Sequence, residues 1–276
     1  MTQKRILLRK LAWPATHRRP RHPARLTNHR LPCHTRHTAW LANPVLPAWQ
    51  SRGTVQFMTF IALTNTKGGV GKSTIACHLA IWLFDRGERV SVIDADAQGT
   101  ATVWLKNAEP NITVRAASDM DAIQLARDEL SQTHDFIVAD APGEEGEAAN
   151  TVTLLADIAI LPLQPTKPDV RALKDALKTI RLAHAVTKNK RPETILVLNG
   201  VRKHSVRTSV LREQLQSHGH RVARAEIRRL DAIAEACDSA VTRENTPRGR
   251  EAATDFDALF TELFSGYLTV KEVANG

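Results

Sequence analysis

The segment FIALTNTKGGVGKSTIACHLA, residues 60–80, constrains the fold more than any other stretch of this chain. It begins with an apolar run suited to a buried strand, passes through three glycines and continues in helix-forming residues. In this order, loop N–H groups and the N-terminus of a helix can converge on an anion. The segment therefore predicts a phosphate-binding loop.

The ordinary phosphate loop has a glycine, four residues and then Gly-Lys-Ser/Thr between a strand and a helix. Gly71, Lys72 and Ser73 match its end, whereas Thr66 stands where its first glycine belongs. Two further glycines still allow the backbone to bend, so we expect Lys72 to contact the β- and γ-phosphates of ATP and the Ser73 hydroxyl to ligate Mg²⁺. The alternative is a glycine turn with incidental polar residues, which the flanking strand and helix disfavour.

Hydrophobic patterning predicts an α/β fold of the P-loop NTPase type, a mostly parallel sheet with helices on both faces. The predicted strands are 59–65, 89–95, 135–140, 157–163, 194–199 and a weaker 220–226. The predicted helices are 72–86, 119–131, 168–186, 205–217, 230–240 and 251–265. Since no linker interrupts this alternation, residues 58–276 are expected to form one domain.

The net positive charge of the chain comes from its first fifth. Residues 1–57 contain eleven Lys/Arg and no Asp/Glu, whereas residues 58–276 carry 27 Lys/Arg against 29 Asp/Glu. The first segment has neither helical nor strand periodicity, so we expect no packed structure there. It is a basic arm for nucleic acid, a targeting peptide, or translated sequence upstream of a true start at Met58. We favour the last explanation because Met58 lies one residue before the first predicted strand.

The run Lys-Gly-Gly-Val-Gly-Lys-Ser-Thr resembles the deviant Walker A motif of the ParA/MinD family of ATPases. In that family the early lysine, here Lys67, crosses a dimer interface to the partner's phosphates and supplies the charge of an arginine finger. The resemblance implies a homodimer enclosing two ATP molecules, with Lys67 and Lys72 catalytic. Taken alone, Lys67 is equally compatible with a solvated surface lysine. The resemblance implies ATP contacts from Lys67, Gly68, Gly69, Val70, Gly71, Lys72, Ser73 and Thr74.

Two acidic segments follow in the order expected of that family. VIDADAQGTAT resembles its Asp-x-Asp-Pro-Gln-Gly segment, with Ala97 in place of proline. The resemblance implies that Asp96 positions the attacking water and that Asp94 supports the metal shell; the alternative is that both cap the next helix. FIVADAPGEEG resembles the Walker B strand, which implies that Asp140 holds Mg²⁺ through a water.

Asn199, at the end of ILVLN, occupies the place where family members set an asparagine against adenine. A side-chain amide offers both the donor and the acceptor that the adenine edge needs. The alternative is an asparagine that opens a turn before Gly200.

Two classes of partner are disfavoured by composition. An iron–sulfur cluster needs cysteine ligands, and neither Cys77 nor Cys237 lies in a plausible ligand loop. Membrane binding needs a basic amphipathic face, whereas the C-terminal segment from Asp255 carries three acids before residue 263. We therefore expect no membrane association and a reduced, cytoplasmic protein.

Basic residues return in the second half of the domain. Residues 202–229 contain eight Lys/Arg against two Glu, a charge pattern suited to DNA phosphates rather than to bases. The resemblance places Arg207, Arg228 and Arg229 in the region that contacts DNA. The alternative is a solvated helical face.

Together these features indicate a ParA-like ATPase that binds DNA non-specifically as an ATP dimer and drives plasmid or chromosome partition on the nucleoid. The resemblance implies a ParB-like adaptor that stimulates slow hydrolysis. Two alternatives stay open: an ATPase of the same family that positions another cargo, such as a DNA-transfer or chemoreceptor complex, and a nucleotide-dependent DNA-binding protein with negligible hydrolysis.

Overall fold

The computed structural model describes residues 58–187 and 191–274, and the basic segment 1–57 lies outside them. The strands are β1 Thr59–Leu63, β2 Val90–Asp94, β3 Thr113–Ala116, β4 Phe136–Asp140, β5 Ile158–Leu163 and β6 Glu193–Leu198. They form one sheet in the order β3–β2–β4–β1–β5–β6, and every pairing of neighbouring strands is parallel. The predicted α/β class with a parallel sheet is confirmed.

Helices cover both faces of the sheet. They are α1 Lys72–Phe84, α2 Thr100–Ala108, α3 Met120–Leu130, α4 Glu147–Leu155, α5 Lys167–Val186, α6 Val206–Ser217, α7 Asp231–Glu235 and α8 Pro247–Ala274, with a 3₁₀ turn at Val241–Arg243. Successive residues of a strand point to opposite faces, so Ile61 packs with α1 and α8 while Phe60 packs with α3 and α4. Within the described ranges, no helix is long and apolar enough to cross a bilayer.

The structure differs from the predicted elements at the sheet margin. The edge strand β3 was not predicted, because its four residues are half-buried or exposed and carry little apolar signal. The segment predicted as a strand at 220–226 makes only an isolated bridge, between Val222 and Leu196, since Arg221 and Arg224 stay exposed. Helices α2 and α4 were also missed, and the helix predicted at 230–240 is only the short α7.

Strand order places the loop at 64–71 where a parallel sheet binds ligands. The connection after β1 runs to β2 on one side and the connection after β5 runs to β6 on the other, so the strand order reverses beside β1 and opens a crevice at the carboxyl ends of the strands. The register pairs Leu63 with Asp140, and Asp140 with Asp94. The last residues of β1, β4 and β2 therefore lie side by side at the edge from which the loop emerges.

Candidate functional site

The loop between β1 and α1 has the backbone of an anion-binding turn. Gly69 and Gly71 adopt left-handed conformations, with φ of 72° and 97°, which glycine tolerates best. A Cβ at Gly71 would also lie 2.2 Å from Nδ2 of Asn199, so an added side chain would have to displace that amide as well as adopt a strained torsion. The loop ends in the first turn of α1, where the N–H of Ile75 donates to the Gly71 carbonyl.

Side-chain amides that directly follow β5 and β6 donate hydrogen bonds to the loop carbonyls. Asn199 Nδ2 donates to the Val70 carbonyl at 2.7 Å, and Gln164 Nε2 donates to the Gly69 carbonyl at 3.2 Å. Asn199 thus supports the loop in this structure, and its contact with adenine stays a prediction. Gln164 was not among the predicted site residues; it belongs to the segment LPLQPT at the exit of β5.

Lys72 begins α1 with its side chain buried beneath the loop. Its Nζ donates to the carbonyl of Lys67 at 3.2 Å. Burial lowers the pKa of Lys72, while the charges of Asp140 and Asp96 oppose that shift. The loop after β4 closes over the same region, because a Cβ at Gly143 would lie 2.9 Å from Cα of Gly68.

Lys67 turns toward the N-terminus of α5. Its Nζ lies 2.9 Å from Oδ2 of Asp169, a carboxylate with no exposed surface, while the Lys67 side chain keeps 36% of its surface exposed. The Thr66 hydroxyl donates to the carbonyl of Ala172 at 3.0 Å, so both residues tie the front of the loop to the same helix. Asp169 was not among the predicted site residues; its only signal in the sequence is an acid directly after Pro168, in the first turn of the helix.

Asp140 provides the strongest indication of a cation. Its carboxylate is fully buried, and neither oxygen accepts a hydrogen bond from the residues that the structure describes. Burial is the main cause that raises the pKa of Asp140 to about 7. The charge of Lys72 and the nearby Ser73 hydroxyl oppose this rise, although the hydroxyl makes no well-formed hydrogen bond to the carboxylate. An unpartnered buried carboxylate beside a hydroxyl suits Mg²⁺, which takes oxygen ligands and usually retains waters.

The two aspartates at the carboxyl end of β2 are engaged differently. Asp94 Oδ2 accepts from the backbone N–H and the hydroxyl of Thr102, both at 2.8 Å, which is the helix-capping role considered as the alternative. Asp96 is half-buried, accepts from the Gln98 N–H at 3.0 Å, and is close enough to influence the pKa of Lys72. The contribution of Asp94 to the metal shell and the catalytic role of Asp96 stay predictions.

The three arginines predicted to contact DNA lie in different environments. Arg228 is held against α8 by Asp255, at 2.9 Å, and by Glu251, and these contacts raise its pKa. Arg207 and Arg229 are exposed and line a groove of about 400 Å³ together with Arg202, at the carboxyl ends of β5 and β6. Among the described residues, Arg207 and Arg229 are thus the members of the predicted set that present charge to solvent.

Residues 61–242 match the family described as the CobQ/CobB/MinD/ParA nucleotide binding domain. The chain belongs to this family. The ParA/MinD resemblance inferred from the loop is therefore confirmed, and nucleotide binding by the loop, Lys72 and Asp140 stays a prediction.

Relatives within the family are named for different cellular processes. Maintenance of carboxysome distribution protein A of Halothiobacillus neapolitanus is 29% identical over 210 residues, 74% of this chain and 95% of the relative. Sporulation initiation inhibitor protein Soj of Bacillus subtilis is 28% identical over 51% of this chain and 70% of its own. The fold also matches cobyrinic acid a,c-diamide synthase from Mycobacterium smegmatis, solved with an ATP analog and magnesium, at a TM-score of 0.59 and 21% identity over 76% of this chain and 96% of that one.

Proposed function

We propose that this chain is an ATPase of the ParA type that dimerises with ATP, binds DNA non-specifically and drives plasmid or chromosome partition. The observation that carries the proposal is the pairing of a two-lysine phosphate loop with the buried, unpartnered carboxylate of Asp140. A buried charge without a partner is costly, and a Mg²⁺–nucleotide complex would relieve that cost.

The proposed chemistry distributes roles among residues at one edge of the sheet. Lys72 and the loop N–H groups bind the phosphates, and Ser73 and Asp140 would hold Mg²⁺, which would supply charge to offset that of the β- and γ-phosphates. Asp96 orients water for attack on the γ-phosphate. Lys67 reaches the phosphates bound to a second subunit, where it stabilises the developing charge. A ParB-like adaptor would accelerate this step.

DNA binding is proposed for the groove lined by Arg202, Arg207 and Arg229. Exposed guanidinium groups bind phosphate oxygens without selecting bases, so the expected affinity is non-specific and salt-dependent. Arg228 is excluded from this proposed surface because two carboxylates already neutralise it.

A second candidate is an ATPase that positions a different cargo by the same cycle. A relative that matches 74% of this chain is named for carboxysome distribution, which favours cargo positioning. DNA-transfer and chemoreceptor complexes are other candidate cargoes. A third candidate is a DNA-binding protein with negligible hydrolysis. Steady-state hydrolysis measured with and without DNA and adaptor separates the third candidate from the first two.

The test is the mass of the protein in gel filtration without nucleotide, with ADP and with ATP plus Mg²⁺. We expect a dimer only with ATP, and we expect Lys67→Ala to retain some ATP binding while losing both the dimer and hydrolysis. Lys106→Ala, at an exposed lysine of α2, is the matched control and should behave as wild type. A Lys67→Ala protein that dimerises and hydrolyses ATP normally would contradict the proposal.

The DNA surface is tested by titrating a fluorescent duplex at several salt concentrations in the presence of ATP. Arg207→Ala and Arg229→Ala should each weaken binding and lower the slope of log affinity against log salt by about one. Glu213→Ala, at an exposed acid of α6, controls for surface changes that remove no positive charge. If the DNA affinity responds neither to salt nor to these substitutions, the arginines are solvent-exposed residues that do not bind DNA, and the proposed surface is wrong.

A further inference from the structure

The ion pair between Lys67 and Asp169 joins the proposed catalytic lysine to a fully buried carboxylate of its own subunit, at 2.9 Å. Asp169 also accepts a hydrogen bond from the Thr166 hydroxyl, and its other oxygen has no partner among the described residues. Lys67 is therefore the cation that balances this buried charge. The same ammonium cannot hold Asp169 and reach across an interface to a second nucleotide.

Asp169 is placed so that other groups still stabilise its carboxylate when Lys67 moves away. It lies in the first turn of α5, where the positive end of the helix stabilises a carboxylate, and the Thr166 hydroxyl stays beside it. Lys67, by contrast, is partly exposed and lies on a long flexible side chain. The pair can therefore open by movement of the lysine alone, without rebuilding the core.

We infer that Asp169 is a positioning residue that holds Lys67 within its own subunit until ATP-bound subunits meet. Closure of the dimer must then break one Lys67–Asp169 ion pair in each subunit. This inference rests on the proposed function, since it concerns the lysine proposed to act in trans. The ion pair would oppose dimer closure before ATP is bound, and each subunit would release its Lys67 only at the dimer interface.

The first measurement follows urea unfolding without nucleotide and does not depend on the proposed function. Asp169→Asn keeps the size of the side chain and removes its charge. It should lower the unfolding midpoint in the wild-type background, where it breaks the ion pair. It should raise the midpoint in the Lys67→Ala background, where it removes an unbalanced buried carboxylate. Equal shifts in both backgrounds would overturn the inference.

The second measurement is the dimer dissociation constant with a non-hydrolysable ATP analogue and Mg²⁺, by analytical ultracentrifugation. Asp169→Asn should tighten the dimer by about tenfold for each ion pair that closure no longer breaks, and so by up to roughly a hundredfold. Asp169→Ser, which also removes the charge, should tighten it likewise and serves if the Asn variant does not fold.

Asp135→Asn is the matched control, because Asp135 is a buried carboxylate paired with Arg89 at 2.7 Å, at the opposite edge of the sheet from the loop. It should lower the unfolding midpoint without tightening the dimer. A dimer that Asp169→Asn weakens or leaves unchanged would overturn the inference while the proposed function stands. A wild-type protein that stays monomeric with the analogue would overturn the proposed function and the inference with it.

Discussion

The contact between Gly143 and the phosphate loop offers a sharp test of how the site is assembled. A Cβ at position 143 would lie 2.9 Å from Cα of Gly68 and 3.2 Å from its nitrogen, whereas ordinary contacts span 3.4–4 Å. Both neighbours are backbone atoms that cannot rotate away, so Gly143→Ala must separate the two loops by about 0.5 Å or more. Overpacking of this kind typically costs about 1–3 kcal/mol.

Because the displaced backbone belongs to the proposed phosphate-binding loop, the loss should appear in nucleotide binding as well as in stability. We expect Gly143→Ala to weaken ATP affinity by at least about tenfold, equivalent to about 1.4 kcal/mol. The assays are calorimetric titration with ATP and Mg²⁺, and urea unfolding without nucleotide.

Gly146→Ala is the matched control for Gly143→Ala. Gly146 has an extended backbone, with φ of 178°, and no described atom lies within 4 Å of the position that a Cβ would take, so the added methyl is tolerated sterically. Its affinity for ATP should stay near that of wild type. If Gly143→Ala binds ATP as tightly as Gly146→Ala and unfolds at the same urea concentration, the two loops do not pack as described.

Further outcomes follow from buried groups. Lys72→Ala should abolish ATP binding in the same titration, and unchanged affinity would contradict the loop assignment. Asp140→Asn should stabilise the nucleotide-free protein by roughly 1–3 kcal/mol in urea, because it removes an unpartnered buried charge, while abolishing the effect of Mg²⁺ on ATP affinity. Burial lowers the pKa of His78 to about 4, so between pH 6.5 and pH 4 only the unfolded state gains the proton. The free energy of unfolding should therefore fall by about 3 kcal/mol over that range. His78→Phe should flatten that pH dependence of the unfolding midpoint, whereas His218→Gln, at an exposed histidine, should not.

The physical basis of the His78 prediction is its position between α1 and the 3₁₀ turn. One ring nitrogen donates to the Thr74 carbonyl at 2.7 Å, and the other accepts from the N–H of Val241 at 3.2 Å. The ring stacks on Phe256 with centroids 4.3 Å apart. Only the neutral ring satisfies both hydrogen bonds, so protonation breaks the contact with Val241.

The sequence predicted those features of the structure that depend on interactions between residues close together in the chain. The five buried strands and the loop were predictable because apolar runs and glycine spacing act over a few residues. The edge strand β3 was not predictable, because its residues are half-buried or exposed and it is held by pairing with β2 along one side. The same limit applies to Arg228: its charge marks it as a candidate for DNA, and only packing of α8 shows that Asp255 neutralises it.

The sequence by itself determined the class of fold, the phosphate loop and the residue types that face it, because these follow from local pattern and from chemistry that few side chains can perform. The tertiary structure decided which side chains hold one another. Lys67 meets Asp169 across 102 positions of the chain, Asn199 meets Val70 across 129, and Gly143 meets Gly68 between two separate loops. Such contacts depend on how the strands are ordered in the sheet, and strand order is a property of the whole core rather than of any segment.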